Sequence, residues 1–282
     1  MRILSWNIQS GLGCDGRRDI KRIIERIVDR PVQPDVICFQ EVARYIPECC
    51  KDTQQDQYRI IAAMLPDYDA AWGPGMRWFQ GKNPPQEFGN LTMARRPILD
   101  SRVHCLPMPA AAGNMQMPRS CVETVIDFGG KNIRVMNTHL AFHIADERRL
   151  QIDYICDWQR WREENNISPP RAGSGSYAAK HLQGDCILCG DLNFTPAAKE
   201  YAMLRQAGWI DAWQKSKDHG KRLPTCGVYD QELWLQGPHC RDYFWLSSSL
   251  RHCETRINID LECNYSDHQP ITLHLQTNCD NG

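Results

Sequence analysis

Short apolar runs bounded by Gly, Pro and polar clusters predict strands at Arg2–Ile8, Asp35–Gln40, Asn90–Ala94, Ile98–Leu106, Ser120–Phe128, Ile133–Thr138, Cys186–Gly190, Asp242–Leu246, Thr255–Ile259 and Ile271–Leu275. Gly129-Gly130 marks a hairpin between two of them. Ile20, Ile23, Ile24, Ile27 and Val28 repeat at helical spacing and predict a helix over Asp19–Arg30, closed by Pro31 and Pro34. Further helices are predicted at Thr53–Leu65, stopped by Pro66, and at Ala145–Glu164, with Leu150, Tyr154, Trp158 and Trp161 on its buried face. A last helix is predicted at Pro196–Ala207, with Thr195 as its N-cap. Two long loops remain. Trp72–Gly89 is rich in Gly and Pro and carries Trp72, Trp78 and Phe79, and Gln214–His239 carries a basic run.

Strands alternate with helices, but hairpins are interspersed. That pattern suits an α/β fold of two packed sheets with helices outside. Composition does not shift along the chain, so a single domain over 1–282 is expected. Hydrophobic residues make up 42% and charged residues 24% of the 282, which excludes disordered and collagen-like classes. The net charge of −1 removes a global electrostatic argument for nucleic-acid binding and leaves a local basic patch as the only route. No apolar run is long enough for a transmembrane helix, and the N-terminal residues do not resemble a signal peptide, so a cytoplasmic location is expected. The 14 cysteines then read as free thiols in a reducing compartment. Cys186 and Cys189 form a C-x-x-C inside an apolar strand with no second such pair, which argues for buried thiols over a structural zinc site.

The informative positions are polar residues at the ends of apolar strands, where loops on a rigid scaffold gather ligand sites. Asn7 ends the first strand and Glu41 sits just past the second. His139 follows Ile133–Thr138, and Asp191 and Asn193 follow Cys186–Gly190. Asp242 opens a strand, and Asp267 and His268 precede the last one. This set contains no Ser or Cys nucleophile. Its hard oxygen ligands suit Mg²⁺ or Mn²⁺. Metal, hydrogen-bond donors and a water-activating carboxylate are together the means for hydrolysis at phosphorus.

Five blocks carry a resemblance: Ser5-Trp6-Asn7, Phe39-Gln40-Glu41-Val42, Asn137-Thr138-His139-Leu140, Gly190-Asp191-Leu192-Asn193 and Ser266-Asp267-His268. In this order they resemble the endonuclease/exonuclease/phosphatase superfamily, which includes DNase I-like nucleases, AP endonucleases, inositol polyphosphate phosphatases, neutral sphingomyelinases and deadenylases. The resemblance implies a four-layer α/β sandwich, with two mixed sheets packed face to face. It implies that Glu41, with Asn7, is the main metal site and that Asp267 reaches a metal. Asp191 would then orient or deprotonate water, and Asn193 would hold water and phosphate. His139 and His268 would contact phosphate oxygens, with Asp242 fixing the tautomer of His268. Arg119 is implied as a phosphate ligand, and Asn90 as a candidate at the pocket edge.

The reaction implied is metal-dependent phosphodiester hydrolysis by in-line attack of water. The phosphate-ester substrate stays open. The AP endonuclease subgroup usually has Glu-Thr or Glu-Lys where this chain has Glu41-Val42. A DNA or RNA nuclease, a lipid-headgroup phosphodiesterase, a phosphatase and a non-catalytic binding protein on the same scaffold are the alternatives. His139 and His143 are four apart, but Leu140 stands where a metalloprotease helix needs Glu. His143 reads as a helix-start residue or a substrate-side neighbour. Lys215, Lys217, Lys221 and Arg222 read as a solvated loop or a phosphate-steering patch.

Overall fold

The computed structural model describes residues 1–50, 56–169, 171, 173–177, 183–216, 220–230 and 232–276. Its strands are β1 (Arg2–Asn7), β2 (Val36–Arg44), β3 (Asp69–Trp78), β4 (Gln86–Ala94), β5 (Ile98–Cys105), β6 (Ser120–Asp127), β7 (Asn132–His139), β8 (Asp185–Asp191), β9 (Ile210–Asp211), β10 (Asp242–Leu246), β11 (Glu254–Ile259) and β12 (Ile271–Gln276). The α-helices are α1 (Ile20–Val28), α2 (Gln57–Met64), α3 (Ala145–Ile167), α4 (Lys199–Gln206) and α5 (Ala212–Lys215). One sheet has the order β11-β12-β1-β2-β4-β3 and the other β5-β6-β7-β8-β10-β9.

Alternation along the strands decides the layers. Ile3, Val36 and Cys38 of the first sheet meet Ile133, Val135, Ile187 and Phe244 of the second in one buried cluster. The opposite faces carry Leu4, Trp6, Ile37 and Phe39 against α1 and α2, and Met136, Cys186, Leu188 and Trp245 against α3 and α4. The result is the expected four-layer α/β sandwich. Among the described residues no helix is long and apolar enough to cross a membrane.

Each sheet holds one parallel pair, β1–β2 and β7–β8. Strands that run the same way end on the same rim, so Asn7 lies beside Gln40 and His139 beside Asp191. The two pairs are tied across the seam. Gln40 Nε2 donates to Asn137 Oδ1 at 2.7 Å, and Asn137 Nδ2 donates to the carbonyls of Phe39 and Leu91 at 3.2 Å each. At Gly190 φ is 133°, and a Cβ there would sit 1.8 Å from the Thr138 carbonyl oxygen, so only glycine lets β8 lie this close to β7.

Several expectations change. Most of Trp72–Gly89 is a β-hairpin, β3 and β4, rather than a loop. Gly73, Gly75 and Gly89 sit where the strands pack closely, and the register shifts between Pro74 and Met76. Trp72 is half-buried beside Tyr58, whereas Trp78 and Phe79 are exposed near the tip. Glu41 lies inside β2, at a register shift between Phe39 and Val42. Ala198, not Thr195, precedes α4, with its N–H on the Thr195 carbonyl. The short helix α5 falls at the start of the second long loop. Thr53 to Gln55 and Lys217 lie outside the described residues.

The buried face of α3 is also different. Leu150 and Trp161 are exposed, and Glu147, Gln151, Ile152, Ile155, Gln159 and Arg162 are buried instead. The cause is Glu123, buried on the outer face of β6. Its Oε1 accepts from Arg134 Nε at 2.8 Å and Arg162 Nε at 3.0 Å. Its Oε2 lies 2.9 Å from the Trp158 indole nitrogen and 3.0 Å from His104 Nε2. Burial opposes this charge, but His104, Arg134 and Arg162 hold the carboxyl well below its ordinary range. Neutralising it would leave two buried guanidinium groups without a counter-charge. Glu123→Gln is expected to cost about 3–5 kcal/mol in urea unfolding. A loss below about 1 kcal/mol would show that α3 is held by its apolar contacts instead.

Candidate active site

The six polar chain segments expected at strand ends meet on the rim formed by the two parallel pairs. Oδ2 of Asp191 is their meeting point. It lies 3.1 Å from Asn7 Nδ2, 3.3 Å from His139 Nε2 and 3.5 Å from His268 Nε2. Oδ1 of Asp191 accepts from the Asn193 backbone N–H at 3.0 Å. Asn7 Nδ2 also donates to Glu41 Oε1 at 3.1 Å. Glu41 and Asn193 have φ of 59° and 55°, a left-handed conformation that costs free energy in non-glycine residues and gathers at functional sites.

Asp242 and His268 form a tight pair, Oδ2 to Nδ1 at 2.8 Å. Burial works against a charged His268, but Asp242, Asp191 and Asp267 hold its pKa well above the usual value. The Thr225 hydroxyl completes this pair. It donates to Asp242 Oδ2 at 2.5 Å and accepts the N–H groups of Arg241 and Asp242 at 3.0 and 3.1 Å. His139 is the opposite case. Burial, with Arg119 and His268, keeps its pKa well below the usual value. Asn193 Nδ2 donates to the Leu140 carbonyl and faces His139 Nε2, while Arg241 Nη1 donates to Asn193 Oδ1 at 3.1 Å. This arrangement puts the His139 proton on Nδ1, 3.8 Å from Glu41 Oε1.

Asp267 accepts from the Trp234 indole at 3.2 Å and from Ser266 Oγ at 3.3 Å. Arg119 lies on the loop before β6. Its Nε is buried without a hydrogen-bond partner, and it faces the charges of Glu41, Asp191 and Glu147. Asn90 is buried at the seam, its Nδ2 on the Ser120 carbonyl at 2.9 Å. Thr225, Arg241 and Trp234 are neighbours that sequence reasoning did not select. Arg241 stands beside Asp242 in the chain, but nothing in the sequence marks its guanidinium as lying over Phe142 and Trp234. Arg222, read as part of a steering patch, is instead committed to Asp211 and lies over Trp213 and Tyr243.

Two acidic groups offer themselves to a cation. Asp191, Asp242 and His268 have ligand atoms within 4.8 Å of one another. Asp242 Oδ2, however, is already engaged by His268 and the Thr225 hydroxyl. Glu41 and Asp267 fit better. Burial, then the Asp267 charge, pushes Glu41 up to about 7, and burial raises Asp267 as well. Their direct hydrogen-bond partners are an amide, a hydroxyl and an indole, none of them cationic. Two carboxylates so placed, Asp267 buried and Glu41 partly open, with Asn7 alongside, suit a hard divalent cation.

The chain matches the model of the Endonuclease/Exonuclease/phosphatase family over residues 4–268, and it belongs to that family. Members are hydrolases that act on phosphoester bonds and generally depend on divalent metals. A Saccharomyces cerevisiae inositol phosphosphingolipids phospholipase C is 25% identical over 201 residues, 67% of this chain and 35% of the yeast protein. This chain thus spans about a third of that relative. Among solved structures, an endonuclease/exonuclease/phosphatase from Beutenbergia cavernae superposes with a TM-score of 0.74 at 21% identity, over 98% of this chain and 71% of that one. A Bacteroides thetaiotaomicron mannosyl-6-phosphatase gives 0.69 at 15% identity, over 98% and 100%.

The raised groups make a pH-dependent signature. A carboxyl whose pKa rises on folding stabilises the metal-free protein while protonated, and that contribution is lost as pH climbs through the folded value. Glu41, Asp191 and Asp267 act in this direction, and so does His268 above the ordinary histidine range. His139 acts the other way, but only below its ordinary value of 6.5. Between about pH 6.5 and pH 8, metal-free protein is therefore expected to lose thermal stability, and Glu41→Gln should flatten the slope. A Tm that rises across that window, or a slope unchanged in the variant, would contradict this electrostatic account.

Proposed function

We propose that this protein is a Mg²⁺- or Mn²⁺-dependent phosphodiesterase, with residues 1–282 forming one catalytic domain. The observation that supports it most is the convergence of Asn7, His139 and His268 on one oxygen of Asp191, next to Glu41 and Asp267, whose hydrogen-bond partners are all neutral. Glu41, Asn7 and Asp267 would hold the cation, which when bound polarises a phosphate oxygen. Asp191 orients the attacking water and takes its proton. Asn193, fixed by Arg241 and the Leu140 carbonyl, holds that water and the phosphate. His139, Arg119 and the His268 that Asp242 keeps charged stabilise the negative charge that builds on the phosphoryl oxygens, whereas Asn90 spends its amide on the Ser120 carbonyl at the seam. The ester P–O bond in line with the water breaks, and no enzyme nucleophile is needed.

Arg222 is locked onto Asp211, which weakens the case for a steering patch and favours a small or lipid-headgroup diester over nucleic acid. The name of the yeast relative, a phospholipase C acting on inositol phosphosphingolipids, points the same way. No disulfide joins two described cysteines, in keeping with a reducing cytoplasmic setting.

EDTA is expected to abolish hydrolysis of a chromogenic phosphodiester, and Mg²⁺ or Mn²⁺ to restore it. Full turnover in EDTA would sink this reading. Asp242→Asn and His268→Ala should each lower kcat by on the order of 10²-fold, and the double variant should lose little more than the worse single. Losses that multiply would show that the two residues act independently.

A further inference from the structure

We propose that the cleft between the β5–β6 loop and the start of α3 binds one alcohol of the ester, and that this alcohol is a neutral, polyhydroxylated six-membered ring. The inference rests on the phosphodiesterase reading and deepens it. The cavity measures about 210 Å³ and has Arg119 in its wall. Arg119 is shared between cleft and centre, since it faces Glu41 and Asp191 as well as Glu147, which lines the cleft. A group seated there adjoins the reacting phosphate.

The lining selects the chemistry. Glu147 is 1% exposed, and its carboxylate is fixed by Gln116 Nε2 at 2.7 Å and Gln151 Nε2 at 3.1 Å. Each of its oxygens keeps a lone pair for a ligand donor. Gln116 spends its amide nitrogen on Glu147 and on the Pro109 carbonyl, which leaves its Oε1 as a second acceptor. Arg119 Nε is a buried donor without a partner. His143 adds a polar ring. Between these groups stand the apolar side chains of Met115, Met117 and Phe142. Acceptors and a donor separated by soft apolar walls match a ring with hydroxyls at its rim and C–H groups on its faces.

Other occupants fit less well. An alkyl chain would leave Arg119 Nε desolvated without a partner and would use none of the acceptor capacity of Glu147 and Gln116. A quaternary ammonium has neither a donor for Glu147 and Gln116 Oε1 nor an acceptor for Arg119 Nε. A nucleoside is too large, because the cavity is smaller than the roughly 300 Å³ at which pockets for drug-sized ligands begin.

The test uses diesters that share glycerol and differ in the second alcohol. With Mg²⁺, glycerophosphoinositol should show a kcat/KM at least about tenfold above glycerophosphocholine, a factor typical of one well-matched pocket contact. Glu147→Gln and His143→Ala should each reduce that ratio by several-fold. His143 is exposed, so its variant keeps the test valid should Glu147→Gln fail to fold. A choline ester cleaved as fast as the inositol ester, or a ratio that survives both changes, overturns the proposal. Saturation-transfer NMR on metal-free protein provides a readout without turnover. Free myo-inositol should show contacts that Glu147→Gln and His143→Ala abolish, and choline should show none. Absence of inositol contacts overturns the subsite even if hydrolysis is metal-dependent. Inositol contacts without any hydrolysis would leave the subsite standing and refute the phosphodiesterase reading.

Discussion

Four carboxylates, Glu41, Asp191, Asp242 and Asp267, are gathered on one largely dry rim, and each must be compensated. Burying an ionised carboxylate without a partner is so costly that it takes up a proton instead. Asp242 has His268 and the Thr225 hydroxyl. Asp191 has the Asn7 amide, the Asn193 backbone N–H and the edge of His268. Glu41 and Asp267 have only neutral donors in hydrogen-bond contact; burial pushes both up, as it does Asp191, but Asp191 has the charged His268 beside it. This imbalance separates the site into two halves. In the proposed mechanism one half, Asp191 with the Asp242–His268 pair, supplies the acid–base and anion-binding groups. On the same proposal, the other is completed by a cation.

The fold meets this constraint through its topology. A parallel pair at the centre of each sheet delivers adjacent strand ends to one rim, and the antiparallel neighbours β10 and β12 bring Asp242 and His268 to the same rim from their starting ends. The seam beneath is polar where it must hold register. Gln40 and Asn137 hydrogen-bond across it, and a one-residue slip would turn both side chains out of the seam. The shift in β2 after Phe39 then turns Glu41 toward Asn7. The backbone strain at Glu41 and Asn193 is offset by these surrounding contacts, which leave neither residue a relaxed alternative.

Much of this was legible in the sequence because it depends on local pattern. Short apolar runs located the strands, and polar residues interrupting them located the site. The hairpin of β3 and β4 was hidden, because Gly73, Gly75 and Gly89 look like loop residues. They are instead required by close packing, with Gly73 against Val122 and Gly75 against the Pro118 carbonyl. The buried face of α3 was hidden for a different reason. Helical periodicity finds apolar stripes, whereas this helix buries Arg162 and Gln159 against charges on the sheet, and only the tertiary partner Glu123 makes that stable. Thr225 and Arg241 escaped notice because their function is defined by what they touch across the loop from Thr225 to Arg241, which has no periodicity to read.

The central claim is that Glu41, Asn7 and Asp267 form the cation site, while Asp191, Asp242 and His268 do not. Anomalous diffraction from crystals soaked in Mn²⁺ tests it most directly. The expected result is a manganese peak bonded to the Glu41 carboxylate, with the Asp242–His268 hydrogen bond intact. A peak seated between Asp191, Asp242 and His268, or no peak at either place at saturating Mn²⁺, would contradict the account.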